Sequence, residues 1–232
     1  MRRTQIILLV IAVLVAISAA LWITRPKPPP ATVIQGKSVR EWVKEVEIGG
    51  FSDGGPANQI LLKAGPAILS DLCTILEEPE TISDATLRVP GNPLTPEQKL
   101  RQESESEALQ LKAGAAYVLN SITYRHPDSP ETKACVPFLI NGLNSGGVNV
   151  RIYCVQALGT IGSNAHTAIP AIISRTKDAD SGVRMSAVEA LGRIGIVTPE
   201  SLSALTNALS DSSSDVSITA TNTLKKLTEK SR

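Results

Sequence analysis

The chain has 232 residues, of which 42% are hydrophobic and only 3% are aromatic. A core made mainly of Ala, Leu, Ile and Val suits close-packed helices better than a β-sandwich, whose strands favour β-branched and aromatic residues. The 23 basic and 22 acidic residues give a formal net charge of +1, which lacks the basic footprint of proteins that bind phosphate backbones. The composition therefore argues against nucleic acid as a partner.

The chain begins with Arg2 and Arg3 and then runs through 18 apolar or small residues, from residue 6 to residue 23. A helix of this length spans roughly 27 Å, close to the hydrocarbon thickness of a bilayer. We therefore predict that residues 1–24 form a transmembrane anchor, with residues 5–24 in the membrane. The alternative is a signal peptide cleaved at Ser18-Ala19-Ala20, which would leave a secreted protein.

The charges around the apolar run bear on its orientation. Arg25, Lys27, Lys37 and Arg40 follow the run, so a strict count of positive charges does not favour export of the domain. A very short basic tail before the first apolar segment nevertheless normally stays in the cytoplasm, which favours a single-pass protein with an extracytoplasmic, periplasmic domain. Residues 25–35 are rich in proline and are expected to form a stiff, extended linker.

The segment GKSVREWVKEV, which begins at Gly36, is expected to form a short helix that ends before Gly49-Gly50. Ser38 and Glu41 have the spacing of a capping box. Four apolar residues share one face of this helix: Val39, Trp42, Val43 and Val46. We predict that this helix covers the start of the helical domain as a cap and that Trp42 is buried beneath it. The alternative is an exposed tryptophan that binds a partner.

The phrase VQALGTIG, at residues 155–162, recurs 33 residues later as VEALGRIG. It belongs to an apolar stripe with the helical spacing i, i+4, i+8, i+11. The stripe occurs four times, at Leu111, Ala115, Leu119 and Ile122; at Val150, Cys154, Leu158 and Ile161; at Val183, Ala187, Leu191 and Ile194; and at Val216, Ala220, Leu224 and Leu227. Four copies of one stripe predict a repeat protein.

A second helix follows the first in each unit, at Val136-Pro137, Ile169-Pro170 and Leu202-Ser203. One helical hairpin cannot bury its stripe alone, so neighbouring units must stack. We therefore predict an all-α, right-handed α-solenoid over residues 36–232, preceded by one N-terminal transmembrane helix. The clearest repeats are residues 103–144, 148–180, 181–213 and 214–232.

The region before these repeats is less regular. The segment ILLKAGPAILSDL, from Ile60 to Leu72, is expected to form a degenerate first unit, and residues 77–94 are expected to form a long loop. Pro96 marks the start of an unusually long helix that is expected to reach about Ser121.

The candidate reactive side chains are better explained by packing. Cys73, Cys135 and Cys154 form no CxxC or zinc spacing, and so sparse and odd a set indicates no disulfide framework. His126 and His166 lie 40 residues apart without other ligands nearby, and a metal site needs three or four. We therefore predict no catalytic residue, no metal and no cofactor.

The phrases VRIYCVQALGTIG and VRMSAVEALGRIG, with the helices that follow them, resemble HEAT repeats of the short, phycobilisome-lyase-like type. The layout of anchor, proline linker, cap and repeats is similar to membrane-anchored bacterial HEAT-repeat proteins.

The resemblance implies a ladder of hydrogen bonds along the stack, from an arginine early in each first helix to an aspartate in a turn. The residues that match this pattern are Arg151, Asp178, Asp180, Arg184 and Asp211. Asn144 or Asn149 stands in place of an acid in an earlier turn, and Ser217 replaces the arginine in the last unit, where the ladder should stop. Solvated surface arginines are the alternative.

A repeat stack without a catalytic constellation predicts a non-enzymatic scaffold that binds an unidentified protein. The second helices are expected to line its concave side, with four polar residues facing the partner: Asn141, Arg175, Ser203 and Asn207. Two alternatives stay open. Family analogy suggests a bilin lyase or isomerase, or a chromophore chaperone, and the chain could instead be one subunit of a larger envelope assembly.

Overall fold

The computed structural model describes residues 31–46, 55–80 and 96–230. The predicted transmembrane helix, most of the proline-rich linker, Gly49-Gly50 and most of the predicted long loop lie outside the described residues.

A two-stranded antiparallel ribbon precedes the helices, with β1 at Val33–Ile34 and β2 at Lys37–Ser38. The sequence pattern predicts only helices in this domain and does not predict this ribbon, which lies where the proline-rich linker is expected to end. The turn explains the ribbon, because Gln35 and Gly36 have φ values of 50° and 82°. Two successive positive φ values are typical of the tight turn that joins paired strands.

Helix α1, Val39–Lys44, follows directly and has the predicted capping box. The Ser38 side chain accepts a hydrogen bond from the Glu41 amide, and the Glu41 carboxylate accepts one from the Ser38 amide. Trp42 is buried, as predicted, and its indole N–H donates to the Ile34 carbonyl at 2.8 Å. The helix thereby fastens the ribbon to the body of the domain.

The first helical hairpin comprises α2, Pro56–Ala64, a 3₁₀ turn at Gly65–Ile68, and α3, Leu69–Glu77. The side chains of Leu61, Ile68 and Leu72 are fully buried. The stretch Pro56–Glu77 is long and apolar enough to cross a membrane by length and composition, but half of its most apolar window is buried inside the protein. Such burial is typical of core helices in a folded domain.

The remaining helices form the repeat stack. The first helices of its units are α4, Pro96–Arg125; α7, Val148–Ile161; α9, Ser181–Ile194; and α11, Ser214–Lys230. The second helices are α6, Val136–Gly142; α8, Ile169–Arg175; and α10, Pro199–Ala208. A short helix, α5, spans Pro130–Ala134. Consecutive first helices pack side by side, and each second helix packs mainly against the first helix of the following unit.

The repeated apolar stripe forms the core of this α-solenoid. Every stripe residue of α4, α7 and α9 is buried, and so are Val216 and Ala220 at the start of the α11 stripe. Leu224 and Leu227 are only partly buried. Each Å² of apolar surface that is buried contributes about 25 cal/mol of stabilising free energy. The shared stripe is therefore the main source of stability in a repeat stack.

The glycine of the repeated Leu-Gly pair allows adjacent first helices to approach closely. A methyl group built on Gly159 of α7 would lie 3.0 Å from the Cα atom of Ala190 on α9. The equivalent Gly192 of α9 would place one 2.6 Å from Cγ2 of Thr223 on α11. The recurring phrase therefore encodes both the buried stripe and the spacing between units.

Two helix boundaries differ from the expected ones. Helix α4 continues to Arg125 and ends before His126-Pro127, since a residue before proline is biased away from helical geometry. Helix α10 begins at Pro199 rather than at Leu202, because Thr198 and Ser201 form a capping box there.

Candidate functional site

Arg151, in the first turn of α7, joins two successive turns of the stack. Its Nε and Nη2 atoms donate to the two carboxylate oxygens of Asp178, at 2.9 and 2.8 Å. Its Nη1 atom donates to the carbonyl oxygens of Ser145 and Gly146, in the turn that precedes α7. A bidentate pair of this kind combines charge with fixed geometry.

Arg184, 33 residues further on, repeats the arrangement. It donates to both carboxylate oxygens of Asp211 at 2.8 Å, and its Nη1 atom donates to the carbonyls of Asp178 and Ala179. Its side chain is 13% exposed and that of Asp211 is 11% exposed, so both pairs are largely shielded from water. The structure thus places Arg151, Asp178, Arg184 and Asp211 in one row along the turns.

Each of the two aspartates also accepts a hydrogen bond from the backbone amide two residues further along its own turn, Asp178 from Asp180 and Asp211 from Ser213. Burial acts to raise the pKa of Asp178, but the hydrogen bonds from Arg151 and from the Asp180 amide, together with the charges of Arg151 and Arg175, lower that pKa below its ordinary value. The hydrogen bond from Arg184 lowers the pKa of Asp211 in the same way. Both carboxylates are therefore charged wherever the fold is intact near neutral pH.

Asp180 has a different function from the one the sequence suggested. Its carboxylate accepts a hydrogen bond from the Val183 amide at 3.1 Å and so caps the start of α9. Arg184, the arginine of the same unit, does not bind the Asp180 carboxylate. It binds the backbone carbonyls that precede Asp180 and the carboxylate of Asp211 in the following turn.

The ladder continues one unit earlier, through two residues that the sequence analysis missed. Lys112, on the buried side of α4, holds the position that Arg151 holds in the next unit, and its ammonium nitrogen lies 3.1 Å from a Glu80 carboxylate oxygen. The other Glu80 oxygen accepts a hydrogen bond from the Gly146 amide at 2.8 Å. Glu80 therefore supplies the acid that the turn at residues 144–147 lacks.

An open groove of about 430 Å³ crosses the exposed side of three successive first helices. It is lined by the second half of α4 and by the facing parts of α7 and α9. Tyr124, at one end, is 72% exposed, and Arg193, at the other, pairs with Glu189 across one helical turn. Tyrosine and arginine are the residues most enriched where proteins bind one another.

Side chains join the helices across the floor of this groove. The Asn120 amide donates to the Gln156 side-chain oxygen at 3.3 Å, which links α4 to α7. Tyr117, which lines the groove, also meets Tyr153 of α7 edge to face, with ring centroids 5.4 Å apart; Tyr153 itself is not a lining residue. Burial, with a smaller effect from Tyr117, raises the pKa of Tyr153, so the phenol remains neutral at physiological pH. The floor is therefore polar but ordered by contacts within the protein.

The four predicted partner-facing residues lie on the second helices, away from the groove. Asn141, Ser203 and Asn207 are exposed. Arg175 is half-buried and contacts a carboxylate oxygen of Asp178 at 3.3 Å, so part of its hydrogen-bonding capacity serves the ladder. Leu202, on the same helix as Ser203, and Leu209, the residue that caps the end of that helix, are also exposed, and they give this face an apolar component.

Cys73, Cys135 and Cys154 are all buried. Burial raises the pKa of the Cys154 thiol to about 12, which leaves it protonated and unreactive in the folded protein. Within the described ranges, no group of three or more His, Cys, Asp or Glu side chains is arranged as metal ligands would be.

Comparison with known proteins agrees with this architecture. Residues 136–227 match the family model of HEAT repeats, and they include the two arginine–aspartate pairs of the ladder, Arg151–Asp178 and Arg184–Asp211. These residues therefore contain HEAT repeats.

Two solved structures illustrate how far the likeness extends. An engineered protein from the Northeast Structural Genomics Consortium aligns with 82% of this chain and 78% of its own, at 18% identity and a TM-score of 0.44. A designed armadillo repeat protein in complex with the peptide (KR)4 aligns with 82% of this chain and 100% of its own, at 15% identity and a TM-score of 0.45. Among curated proteins, no sequence matches significantly.

Proposed function

We propose that the chain is a HEAT-repeat protein and acts as a non-catalytic scaffold that binds another protein and is tethered to a membrane by residues 1–24. HEAT folds are typical of protein-interaction scaffolds. The observation that carries the proposal is the open groove across α4, α7 and α9, because a groove that spans several units can hold an extended segment of a partner.

The groove offers an aromatic surface and charges of both signs to such a segment. Tyr124 presents an exposed aromatic ring that can pack on an apolar side chain. Arg193 and Glu189 have side chains that are each 48% exposed, so both charges can exchange their mutual pair for charges on the partner. Because both signs are present, the groove favours a partner of mixed charge over a strongly acidic or basic one.

The second-helix surface predicted from sequence, at Asn141, Arg175, Ser203 and Asn207, is the other candidate for partner contact. Its exposed groups are mostly uncharged: amides, a hydroxyl and leucine side chains. We favour the groove because it combines concavity with an aromatic side chain and charges, the features that concentrate binding energy.

Site-specific photo-crosslinking in the native membrane distinguishes the two surfaces. A photoreactive phenylalanine analogue at Tyr124 or Glu189 probes the groove, and the same analogue at Ser203 or Asn207 probes the second helices. Lys225 of α11 is the matched control, because it lies on a first helix, at the repeat position of Asn120, but outside the groove lining. We expect one discrete crosslinked band from the groove positions and none from Lys225.

The other outcomes have clear meanings. A band from Ser203 and Asn207 alone would keep the scaffold function and move the binding surface to the second helices. Capture from none of the four positions would contradict the scaffold proposal. Bilin lyase or isomerase activity, the alternative by family analogy, gains no support from the comparisons.

The membrane tether rests on the apolar run in the sequence and is tested separately. After extraction with alkaline carbonate, an uncleaved anchor keeps the full-length chain in the membrane pellet. A cleaved signal peptide predicts release of a chain shortened by about 20 residues, which mass spectrometry detects.

A further inference from the structure

Two of the three cysteines meet in the core, although they are 62 residues apart in sequence. Cys73 lies in the middle of α3, and Cys135 lies at the junction of α5 and α6. Their sulfur atoms are 3.0 Å apart, about 1 Å longer than the bond of a disulfide. The third thiol, Cys154, is packed against Gly142 on the neighbouring helix.

We propose that Cys73 and Cys135 are a disulfide site that joins the first helical hairpin covalently to the repeat stack in an oxidising environment. The bond requires only a small approach of two side chains that already face each other in the folded chain. It would close a loop that includes residues 81–95 and so tie α3 directly to α6. This inference does not depend on the scaffold function or on the binding groove.

The surroundings of the pair indicate when the bond can form. Cys73 donates to the Cys135 sulfur, which in turn donates to the Glu131 carbonyl at 3.2 Å. The hydrogen bond to Cys135, followed by burial, raises the pKa of the Cys73 thiol, and both side chains are almost inaccessible to solvent. A buried, protonated thiol reacts slowly, so the bond must form during folding or local opening rather than by attack on the closed native state.

The reaction is a thiol–disulfide exchange with a small-molecule disulfide as the oxidant. The thiolate of one cysteine attacks a sulfur of the oxidant, the oxidant's S–S bond breaks, and the first small thiol leaves with a proton. The second cysteine thiolate then attacks the protein sulfur of this mixed disulfide and releases the second small thiol. Two protein thiols are oxidised, one oxidant disulfide is reduced, and both protons leave on the small thiols.

The test is to count free thiols after oxidative refolding. The full chain is refolded in detergent with reduced and oxidised glutathione, quenched with acid, unfolded, labelled with N-ethylmaleimide and weighed by mass spectrometry. We expect one label on the wild type, on Cys154. The variant Cys135→Ala should carry two labels and Cys154→Ala none. Alanine is suited to both positions, since it stands at the equivalent positions of other units: Ala168 for Cys135, and Ala187 and Ala220 for Cys154.

Two labelling results would overturn the proposal. Three labels on the wild type would show that the pair does not oxidise, and two labels on Cys154→Ala would show that the bond involves Cys154 instead. Neither result bears on photo-crosslinking from the groove, so the two proposals fail separately.

Thermal unfolding then tests whether the bond belongs to the native fold. A disulfide that closes a loop of this length is expected to raise Tm on the order of 10 °C relative to the reduced chain. Cys135→Ala should melt at the same temperature with and without reductant. An oxidised wild type that melts no higher than the reduced form would overturn the assignment of the bond to the native structure.

Discussion

At the scale of single residues, we expect Arg151 to contribute more to the stability of the fold than any exposed arginine of the stack. It binds both carboxylate oxygens of Asp178 and two carbonyls of the preceding turn, and its side chain is only 12% exposed. Substitution by alanine leaves a mostly buried carboxylate and two carbonyls short of a donor. We expect Arg151→Ala to lower the free energy of unfolding by about 2 kcal/mol, as measured by urea denaturation.

Arg193 provides the matched control for this prediction. It also forms a hydrogen-bonded ion pair, with Glu189, but both side chains are 48% exposed and lie one turn apart on the same helix. Such pairs contribute about 0.5 kcal/mol or less. Equal losses for Arg193→Ala and Arg151→Ala would show that the ladder contributes no more than an ordinary surface ion pair.

At the scale of helices, the spacing of the stack depends on Gly192. Alanine is a better helix former than glycine by about 1 kcal/mol, but its methyl group would lie 2.6 Å from Cγ2 of the buried Thr223 on α11. We expect Gly192→Ala to destabilise the protein by about 1–2 kcal/mol, because the two helices must separate or Thr223 must leave its rotamer. Chemical denaturation measures the difference.

A second substitution shows whether this contact is the cause. Thr223→Ser removes the interfering methyl group and keeps the hydroxyl. The double variant should recover most of the stability that Gly192→Ala alone loses. A double-mutant cycle should therefore give a coupling energy of about 1 kcal/mol. If Gly192→Ala alone were as stable as the wild type, close helix approach would not explain the repeated glycine.

The helices of the stack could be predicted because the same apolar stripe occurs in several successive units. Stripe positions such as Leu158 and Leu191 recur at a fixed interval, and each recurrence reinforces the same assignment. The ribbon at residues 33–38 could not be found in this way, since it has two residues per strand and depends on the backbone angles of Gln35 and Gly36. Periodicity carries no information on a single turn.

The candidate sites were harder to predict, because their contacts cross between units. Glu80 supplies an acid to a turn 66 residues away, and its partner Lys112 departs from the arginine of the other units. The groove needs the relative placement of three helices, which a repeat length alone does not give. The Cys73–Cys135 contact likewise joins helices that are distant in sequence, so composition and spacing indicated only three separate packing thiols.

At the scale of the whole molecule, the ladder and the stripe make different contributions. The stripe stabilises each interface between units at any pH, whereas the ladder depends on ionised carboxylates. Asp178 and Asp211 lie in successive turns, Glu80 reaches the turn before them, and each of the three binds the basic residue of a first helix. A change of protonation therefore acts on several unit interfaces at once, and its effect should appear in the stability of the whole solenoid.

The pH dependence of stability is therefore the final prediction. The pKa values of Asp178 and Asp211 are lowered in the folded state, so protons bind the unfolded chain more readily. The resulting stabilisation is fully present above the ordinary aspartate pKa of 3.8, and it is lost as pH falls through the lowered folded-state values. We expect the free energy of unfolding to be nearly constant from about pH 7 to pH 5 and to fall steeply below about pH 4.

The double variant Asp178→Asn/Asp211→Asn should be less stable at pH 7 but should lose less stability on acidification. The free energies of unfolding of the two proteins, measured by urea denaturation at each pH, should therefore converge as the pH falls. Other carboxylates with lowered pKa values, such as Glu80, act equally in both proteins and cancel in the comparison. Parallel curves down to pH 3 would show that these two aspartates do not link protonation to the stability of the stack.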